Sequence, residues 1–309
     1  MTTLSPICYR VLQLVKWDLR MKRVYIIVIY HFFIIKKKTK LLIEYLYRIQ
    51  VMSPRIKTVD YKSVNAGIQF VESLHHTGFA ILHNHPLDFN LITSVYNEWG
   101  NFFNSDAKHS YTFNPDTQDG YFPYRSENAK DHPTKDLKEF YHLYEWVKYP
   151  ENVSRKALLL YHEIITIGRN LLEWVDSHSP EKVKSKFSIP LSEMIANSRM
   201  NLMRIIHYPP LESDITDDAI RAGAHGDINL ITILPASSHS GLQVQKQSGE
   251  WVDVRCEPEW LVINTGDMLH ECSGGYYPST IHRVINPKGD ATRLPRYSMP
   301  VFIHPRDEV

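Results

Sequence analysis

The chain has 309 residues, enough for one domain with a substantial core, and its 43% apolar and 22% charged content is ordinary for a soluble globular protein. Its net charge of +1 averages two unlike parts: residues 1–51 carry ten Lys/Arg against two acids, the remainder 25 against 32. A mildly acidic body excludes the concentrated basic face that nucleic acid requires. Three cysteines without a CxxC pair exclude a disulfide-stapled secreted fold and suit a cytoplasmic, reducing location.

Residues 1–51 form an atypical basic and apolar extension. Its apolar run "VYIIVIYHFFII" (24–35) is bounded by Lys22-Arg23 and Lys36-Lys37-Lys38. Twelve residues are too few to span a bilayer, which needs about 20, and no small-residue cleavage site follows. Three readings stand: translation beginning at Met52, so that the extension is not part of the native protein; a surface or partner-binding amphipathic stretch; or an anchor.

From Met52 the pattern is that of an ordered domain. "IKTVDY" (56–61) and "GFAILHNH" (78–85) read as short strands around the helical "SVNAGIQFVESLHH", and a second helix covers Asn90–Phe103. The polar, Gly/Pro/Asn/Asp-rich stretch 105–136 reads as a long functional loop. A third helix covers about Val153–Ser177, where Leu158, Leu159, Ile164, Ile165, Leu171 and Leu172 recur at near-helical spacing. From Asn201 onward β-rich runs alternate with turn signals, as in "NLMRIIHY", "NLITILP", "GLQVQ", "WLVINTGDML", "TIHRVINP" and "RYSMPVFI". The expected architecture is a helical or mixed region over 52–200 and a β core over 201–309. The fold class is mainly β with flanking helices, a barrel or jelly roll.

His225-Gly226-Asp227 places two metal-capable side chains at i and i+2, on one face of an extended segment. His282, in the alternating "STIHRV", is the candidate third ligand. Two histidines and one carboxylate on one side of an ion leave coordination positions open, as in non-haem Fe(II) oxygenases. Arg296-Tyr297-Ser298 repeats the i, i+2 geometry, and an arginine fork beside a hydroxyl makes a carboxylate receptor. Its bland alternative is a surface arginine in an ion pair worth about 0–1 kcal/mol. The histidines 75, 76, 83 and 85 lack the carboxylate or cysteine partner expected of a second metal site. Leu242 and Val244, alternating with polar residues, are expected to line the barrel.

Residues 58–305 resemble the isopenicillin N synthase-like branch of Fe(II)/2-oxoglutarate-dependent oxygenases. "GFAILHNHP", "QDGYFPYRSENAK…DLKEFYHL", "LMRIIHYPP", "HGDINLITIL", "GLQVQ…GEWVDV", "GGYYPSTIHRV" and "RYSMPVFIHP" are similar to the family's segments in the same order. The resemblance implies a double-stranded β-helix with Fe(II) on His225, Asp227 and His282. It puts the distal carboxylate of 2-oxoglutarate on Arg296 and Ser298, beside Tyr208. The asparagine of the plant "NYYP" motif is replaced by Ile206. The implied activity is oxidation, by hydroxylation or desaturation, of a small-molecule substrate with O2, releasing succinate and CO2. Ascorbate is a further candidate cofactor. Substrate contacts would come from residues 104–147, with Tyr121, Tyr124 and Phe140 as candidates. No nucleic-acid or membrane partner is expected. Two alternatives remain: an Fe(II)/O2 oxidase that does not use 2-oxoglutarate, and a non-catalytic β-barrel binding protein.

Overall fold

A computed structural model describes residues 55–128, 134–212, 219–255 and 257–309. By internal contacts the chain divides into residues 1–53 and 54–309. The expectations for residues 1–51 lie outside the described residues, which all belong to the second unit.

The first strand, β1 (Thr58–Asp60), leads into helix α1 (Ala66–Thr77) and back through β2 (Phe79–His83). Helix α1 stops at Gly78, whose φ of +68° is the left-handed conformation that lets its amide reach the Leu74 carbonyl. A side chain at Gly78 would also come within 2.3 Å of Thr280 Oγ1. Helix α2 (Phe89–Phe103) begins at Asp88, whose carboxylate accepts the Asn90 amide. Strands β3 (Gly120–Phe122) and β4 (Glu139–Leu143) precede the long helix α3 (Lys156–His178) and two single turns, α4 (Glu181–Lys184) and α5 (Leu191–Met194). Then follow β5 (Leu202–Tyr208), β6 (Ala222–His225), β7 (Ile231–Pro235), β8 (Leu242–Gln245), β9 (Trp251–Asp253) and β10 (Leu261–Thr265). Helix α6 (Asp267–Cys272), β11 (His282–Val284), β12 (Arg296–Ser298) and β13 (Val301–Ile303) complete the chain.

Among the described residues the strands form two sheets. The larger runs β1-β2-β10-β7-β13-β5-β4-β3, with β12 also paired to β5; the smaller runs β6-β11-β8-β9. Their facing side chains make two apolar clusters. Phe122, Phe140, Ile206 and Tyr208 of the large sheet meet Ala222, Val284 and Leu242 of the small one. Phe79, Ile81 and Val262 meet Val244 and Val254. Leu242 and Val244 therefore line the interior, as their alternation implied. This is the mainly β, double-stranded β-helix (jelly-roll) class expected from the sequence.

The other face of the large sheet carries Met203, Ile205, Ile233, Ile263 and Ile303, covered by α1, α2 and α3. Helix α3 can approach closely because Gly168 faces the sheet, where an added Cβ would lie 3.3 Å from Ile233 and Ile303. Trp99, fully buried, gathers Phe102, Phe103 and Tyr141 at ring distances of 5.1, 6.2 and 4.9 Å. Each such aromatic pair adds about 0.5–1.5 kcal/mol beyond area burial.

Residues 105–128 are more ordered than their composition suggested. They contain a 3-10 segment, Asp106–Tyr111, and β3, which pairs with β4 through Tyr121↔Tyr141 and Phe122↔Phe140. Strand β4, "EFYHL", is buried at all five positions, so no polar alternation marks it in the sequence. Its Glu139 faces the helices. The carboxylate accepts His207 Nδ1 at 2.7 Å, Lys108 Nζ at 2.8 Å and the Tyr121 hydroxyl. Burial alone would raise the Glu139 pKa, but these three donors more than offset it and hold it below the usual value. A depressed pKa gives stability that is present above about pH 4.5 and lost as pH falls through the folded-state value. Glu139→Gln should therefore cost about 1.5–3 kcal/mol at pH 7. The difference from wild type should narrow below about pH 4.5, as read by denaturant titration at several pH values.

Candidate metal and cosubstrate site

The site forms where the small sheet closes on the large one. On β6 and β11, His225 and His282 are directly opposed in register, their ring centroids 4.5 Å apart. Strand β6 ends at His225, so Asp227 enters from the turn beyond it rather than from the strand. There its main-chain carbonyl accepts the Asp267 amide at 2.7 Å.

The outward atom of each of the three side chains is engaged by the protein. His225 Nδ1 donates to the Gly223 carbonyl at 2.7 Å, and His282 Nδ1 to the Thr280 carbonyl at 3.2 Å. A ring nitrogen facing a carbonyl carries the proton, so each Nε2 keeps its lone pair. Asp227 Oδ2 accepts Thr232 Oγ1 at 2.5 Å and Asn264 Nδ2 at 2.7 Å. What remains is Asp227 Oδ1, 3.9 Å from His225 Nε2 and 3.8 Å from His282 Nε2. All three inner atoms lie within 4.8 Å of one another. Among the described residues no other group of three such side chains converges.

The electrostatics suit a cation. Burial, and then the neighbouring His282, push the His225 pKa down to about 4, so the ring is a neutral donor at physiological pH. Burial works to raise Asp227, but the two imidazoles, Thr232 and Asn264 outweigh it and hold the carboxyl below its ordinary value. Two neutral imidazoles and one carboxylate, with ring tautomers and carboxylate orientation set by hydrogen bonds, form a donor set that fits Fe(II). Thr232 and Asn264 were not singled out in the sequence. Their signal is a polar residue at an inward position of an otherwise apolar strand, in "LITIL" and "LVINT".

The second cluster lies across the interior on β12 and β5. Arg296 pairs with Tyr208 and Ser298 with Ile206. Arg296 is 1% exposed, whereas Arg293, three residues earlier, is exposed. The guanidinium donates through Nε to the His239 carbonyl at 3.0 Å and through Nη2 to Ser237 Oγ at 2.9 Å, and lies 5.0 Å from the Tyr208 ring. Its Nη1 is buried without a partner. Ser298 Oγ stands 3.0 Å from Ser237 Oγ. The surface ion-pair alternative is thereby excluded: this arginine is buried, and no carboxylate pairs with it among the described residues. A buried cation with an unused N–H is costly unless an anion completes it. The residues therefore fit the carboxylate of 2-oxoglutarate. A cavity of about 770 Å³ reaches Arg296 between α2 and the barrel, lined in part by Tyr96, Leu234, Ser237, Leu242 and Val262.

Two contributors were missed from sequence. Ser237 lies in the turn after β7, where "PASSHSG" reads as an ordinary polar loop. Arg221, 1% exposed, donates to the Leu294 carbonyl at 3.1 Å and lies 5.8 Å from the same Tyr208 ring. Burial and the adjacent Arg296 push its pKa down to about 10.

The candidate substrate residues separate. Phe140 faces the interior, stacked on Phe122 at 4.4 Å. Tyr124 lies near Arg221, with the Arg125 guanidinium 5.2 Å from its ring. Tyr121 faces the opposite way: it alternates with Phe122 on β3, so its hydroxyl goes to Glu139 under the helices, away from the metal cluster. His75 and His85 are engaged by the carbonyls of Tyr276 and Glu259, each at 2.8 Å. Among the described residues no helix is long and apolar enough to cross a membrane.

A jelly roll with two histidines and one carboxylate converging at one end, and a buried arginine across its interior, defines a mononuclear metal oxygenase scaffold. Residues 199–305 match the 2OG-Fe(II) oxygenase superfamily, and residues 60–162 match the N-terminal region described as non-haem dioxygenase in morphine synthesis. A crystal structure of a Shewanella oneidensis protein described as an oxygenase is 47% identical, covers 82% of this chain and 92% of its own, and superposes with a TM-score of 0.75. A 2OG-Fe(II) oxygenase family protein of Caulobacter crescentus is 27% identical over 82% of this chain and 87% of its own, with a TM-score of 0.68. Among curated proteins, the gibberellin 2-beta-dioxygenase of Phaseolus coccineus is 27% identical, with 80% of this chain and 76% of that protein aligned. A 2-oxoglutarate-Fe(II) type oxidoreductase of Aspergillus fumigatus is 35% identical over 101 residues, so that the chain spans about a third of that relative's length. This chain belongs to the non-haem Fe(II)/2-oxoglutarate-dependent oxygenase family.

Proposed function

We propose that this chain is a dioxygenase that hydroxylates or desaturates a small molecule while converting 2-oxoglutarate to succinate and CO2. The observation that carries the reading is the pairing of the inward-facing His225, Asp227 and His282 with a buried, unsatisfied Arg296 in one interior. When bound, Fe(II) supplies the redox chemistry that activates O2 and cleaves 2-oxoglutarate. His225, Asp227 and His282 hold the metal. Thr232 and Asn264 fix the orientation of Asp227, and the Gly223 and Thr280 carbonyls fix the two ring tautomers. Arg296 and Ser298 bind the distal carboxylate, with Ser237 positioning the guanidinium and Tyr208 forming the wall beside it. Ile206 replaces a hydrogen-bonding side chain with an apolar one next to Ser298, so the cosubstrate is held at that end by Arg296 and Ser298. Phe140 lines the substrate side. Ascorbate serves as the reductant that keeps the metal ferrous, and the reducing cytoplasm is the location that matches the cysteine usage.

The test is succinate formation by purified protein with Fe(II), 2-oxoglutarate and ascorbate against a panel of small molecules. Succinate should rise with one class of substrate and require both Fe(II) and 2-oxoglutarate. Substrate oxidation with O2 uptake but without succinate would instead identify a 2-oxoglutarate-independent oxidase.

A further inference from the structure

Arg204 is a second arginine on the inner face of the large sheet, after Arg296, and the two clusters above leave it without a task. Alternate residues of β5 share that face. Tyr208 stands beside Arg296, Ile206 beside Ser298, and Arg204 is next, its amide bonded to the Pro300 carbonyl at 3.0 Å. Arg204 lies four positions from Tyr208, roughly 13 Å along a strand. One inward position further along β5, opposite Leu202, stands Phe302, which also pairs with Thr232, the residue whose hydroxyl holds Asp227. The Arg204 guanidinium lies 5.6 Å from the Phe302 ring and 4.6 Å from the Phe140 ring. It is therefore at the metal end of the interior, opposite the small sheet.

Its surroundings hold the guanidinium without neutralising it. Nε donates to His142 Nε2 at 2.9 Å, and His142 Nδ1 in turn donates to the Gln118 carbonyl at 3.1 Å. His142 must be neutral to accept, and burial followed by the charge of Arg204 keeps its pKa well below the ordinary value. The two terminal nitrogens have no protein acceptor, and no carboxylate pairs with Arg204, among the described residues. The neighbouring Lys138 is satisfied by Asp136 at 2.6 Å, and Arg221 faces the other end. Two aromatic rings and one neutral imidazole thus flank a planar fork on the inner face of the large sheet. Such a fork matches one carboxylate bidentately.

We infer that Arg204, oriented by His142 between Phe140 and Phe302, binds a carboxylate on the substrate, so that the oxidised molecule is a small organic acid. The inference rests on the functional reading above, which supplies the metal and the cosubstrate that occupy the rest of the interior.

Benzoate and benzamide, which share a shape and differ in charge, are the probes. Full-length protein is saturated anaerobically with Fe(II) and 2-oxoglutarate, so that Arg296 is occupied, and each probe is titrated calorimetrically. Benzoate should bind and benzamide should not. Arg204→Gln should weaken benzoate roughly ten- to hundredfold, with Arg204→Lys intermediate. Arg199→Gln, a nearby arginine stacked on Trp146, should bind benzoate like wild type. Benzoate should also move the His142 Nε2 nitrogen resonance, which a merely structural Arg204 would not permit. Equal binding of the two probes, no benzoate binding, or undiminished benzoate affinity in Arg204→Gln would each overturn the inference. If Arg204→Gln does not fold, as judged by thermal unfolding, Arg204→Lys and the resonance shift carry the comparison. Absorption of the Fe(II)–2-oxoglutarate chelate in wild type is read on the same samples. A chelate without benzoate selectivity sinks only this inference, whereas no chelate sinks the functional reading.

Discussion

Asp227→Ala is expected to abolish Fe(II) binding and 2-oxoglutarate turnover together. The substitution removes the only anion in the metal cluster and also leaves Thr232 and Asn264 pointing at an empty position in a buried site. Loss of a hydrogen bond that merely orients a ligand costs about ten- to hundredfold in metal affinity; loss of the ligand itself should exceed that. His225→Ala and His282→Ala should behave alike, because the two rings face each other across the same point. Iron content after dialysis and succinate release are the measurements. Unreduced turnover in His282→Ala would remove that residue from the metal set. Circular dichroism separates this result from misfolding, since the substitution leaves the buried Thr232 and Asn264 donors without their acceptor, while the main-chain bond from the Asp267 amide is kept.

Arg296→Ala should act on the cosubstrate rather than on the metal. Removing a charge-assisted carboxylate contact costs about 1.5–3 kcal/mol, which corresponds to a rise in the KM for 2-oxoglutarate of roughly ten- to hundredfold. The change in kcat at saturating cosubstrate should be much smaller, and iron content should stay at the wild-type level. Arg296→Lys keeps the charge but cannot reach the His239 carbonyl and Ser237 Oγ while also offering a fork. It should therefore recover only part of the loss. A KM unchanged in both variants would show that the distal carboxylate binds elsewhere, with the orphaned Nη1 serving no ligand.

The candidate metal and cosubstrate residues were legible because the chemistry proposed for them restricts residue type. Holding a divalent iron with open positions calls for imidazoles and a carboxylate, and holding a distal carboxylate calls for an arginine. An i, i+2 spacing on an extended segment puts such side chains on one face. The supporting residues were not legible for the opposite reason. Thr232, Asn264 and Ser237 are common residue types whose roles depend on what the other sheet places in front of them.

The sequence by itself determined the period of each strand, the residue types at the candidate metal and cosubstrate positions, and the order of the segments that mark the family. Only the tertiary structure decided which face of each strand turns inward, because a two-residue period is silent on that point until the second sheet is packed. That is why Tyr121 and Phe140, both aromatic and both drawn from the same candidate loop, separate. One hydroxyl is held by Glu139 under the helices, while the other ring lies beneath Arg204 in the interior. It is also why Arg296 could be told from a surface arginine only once its burial and its unused N–H were seen.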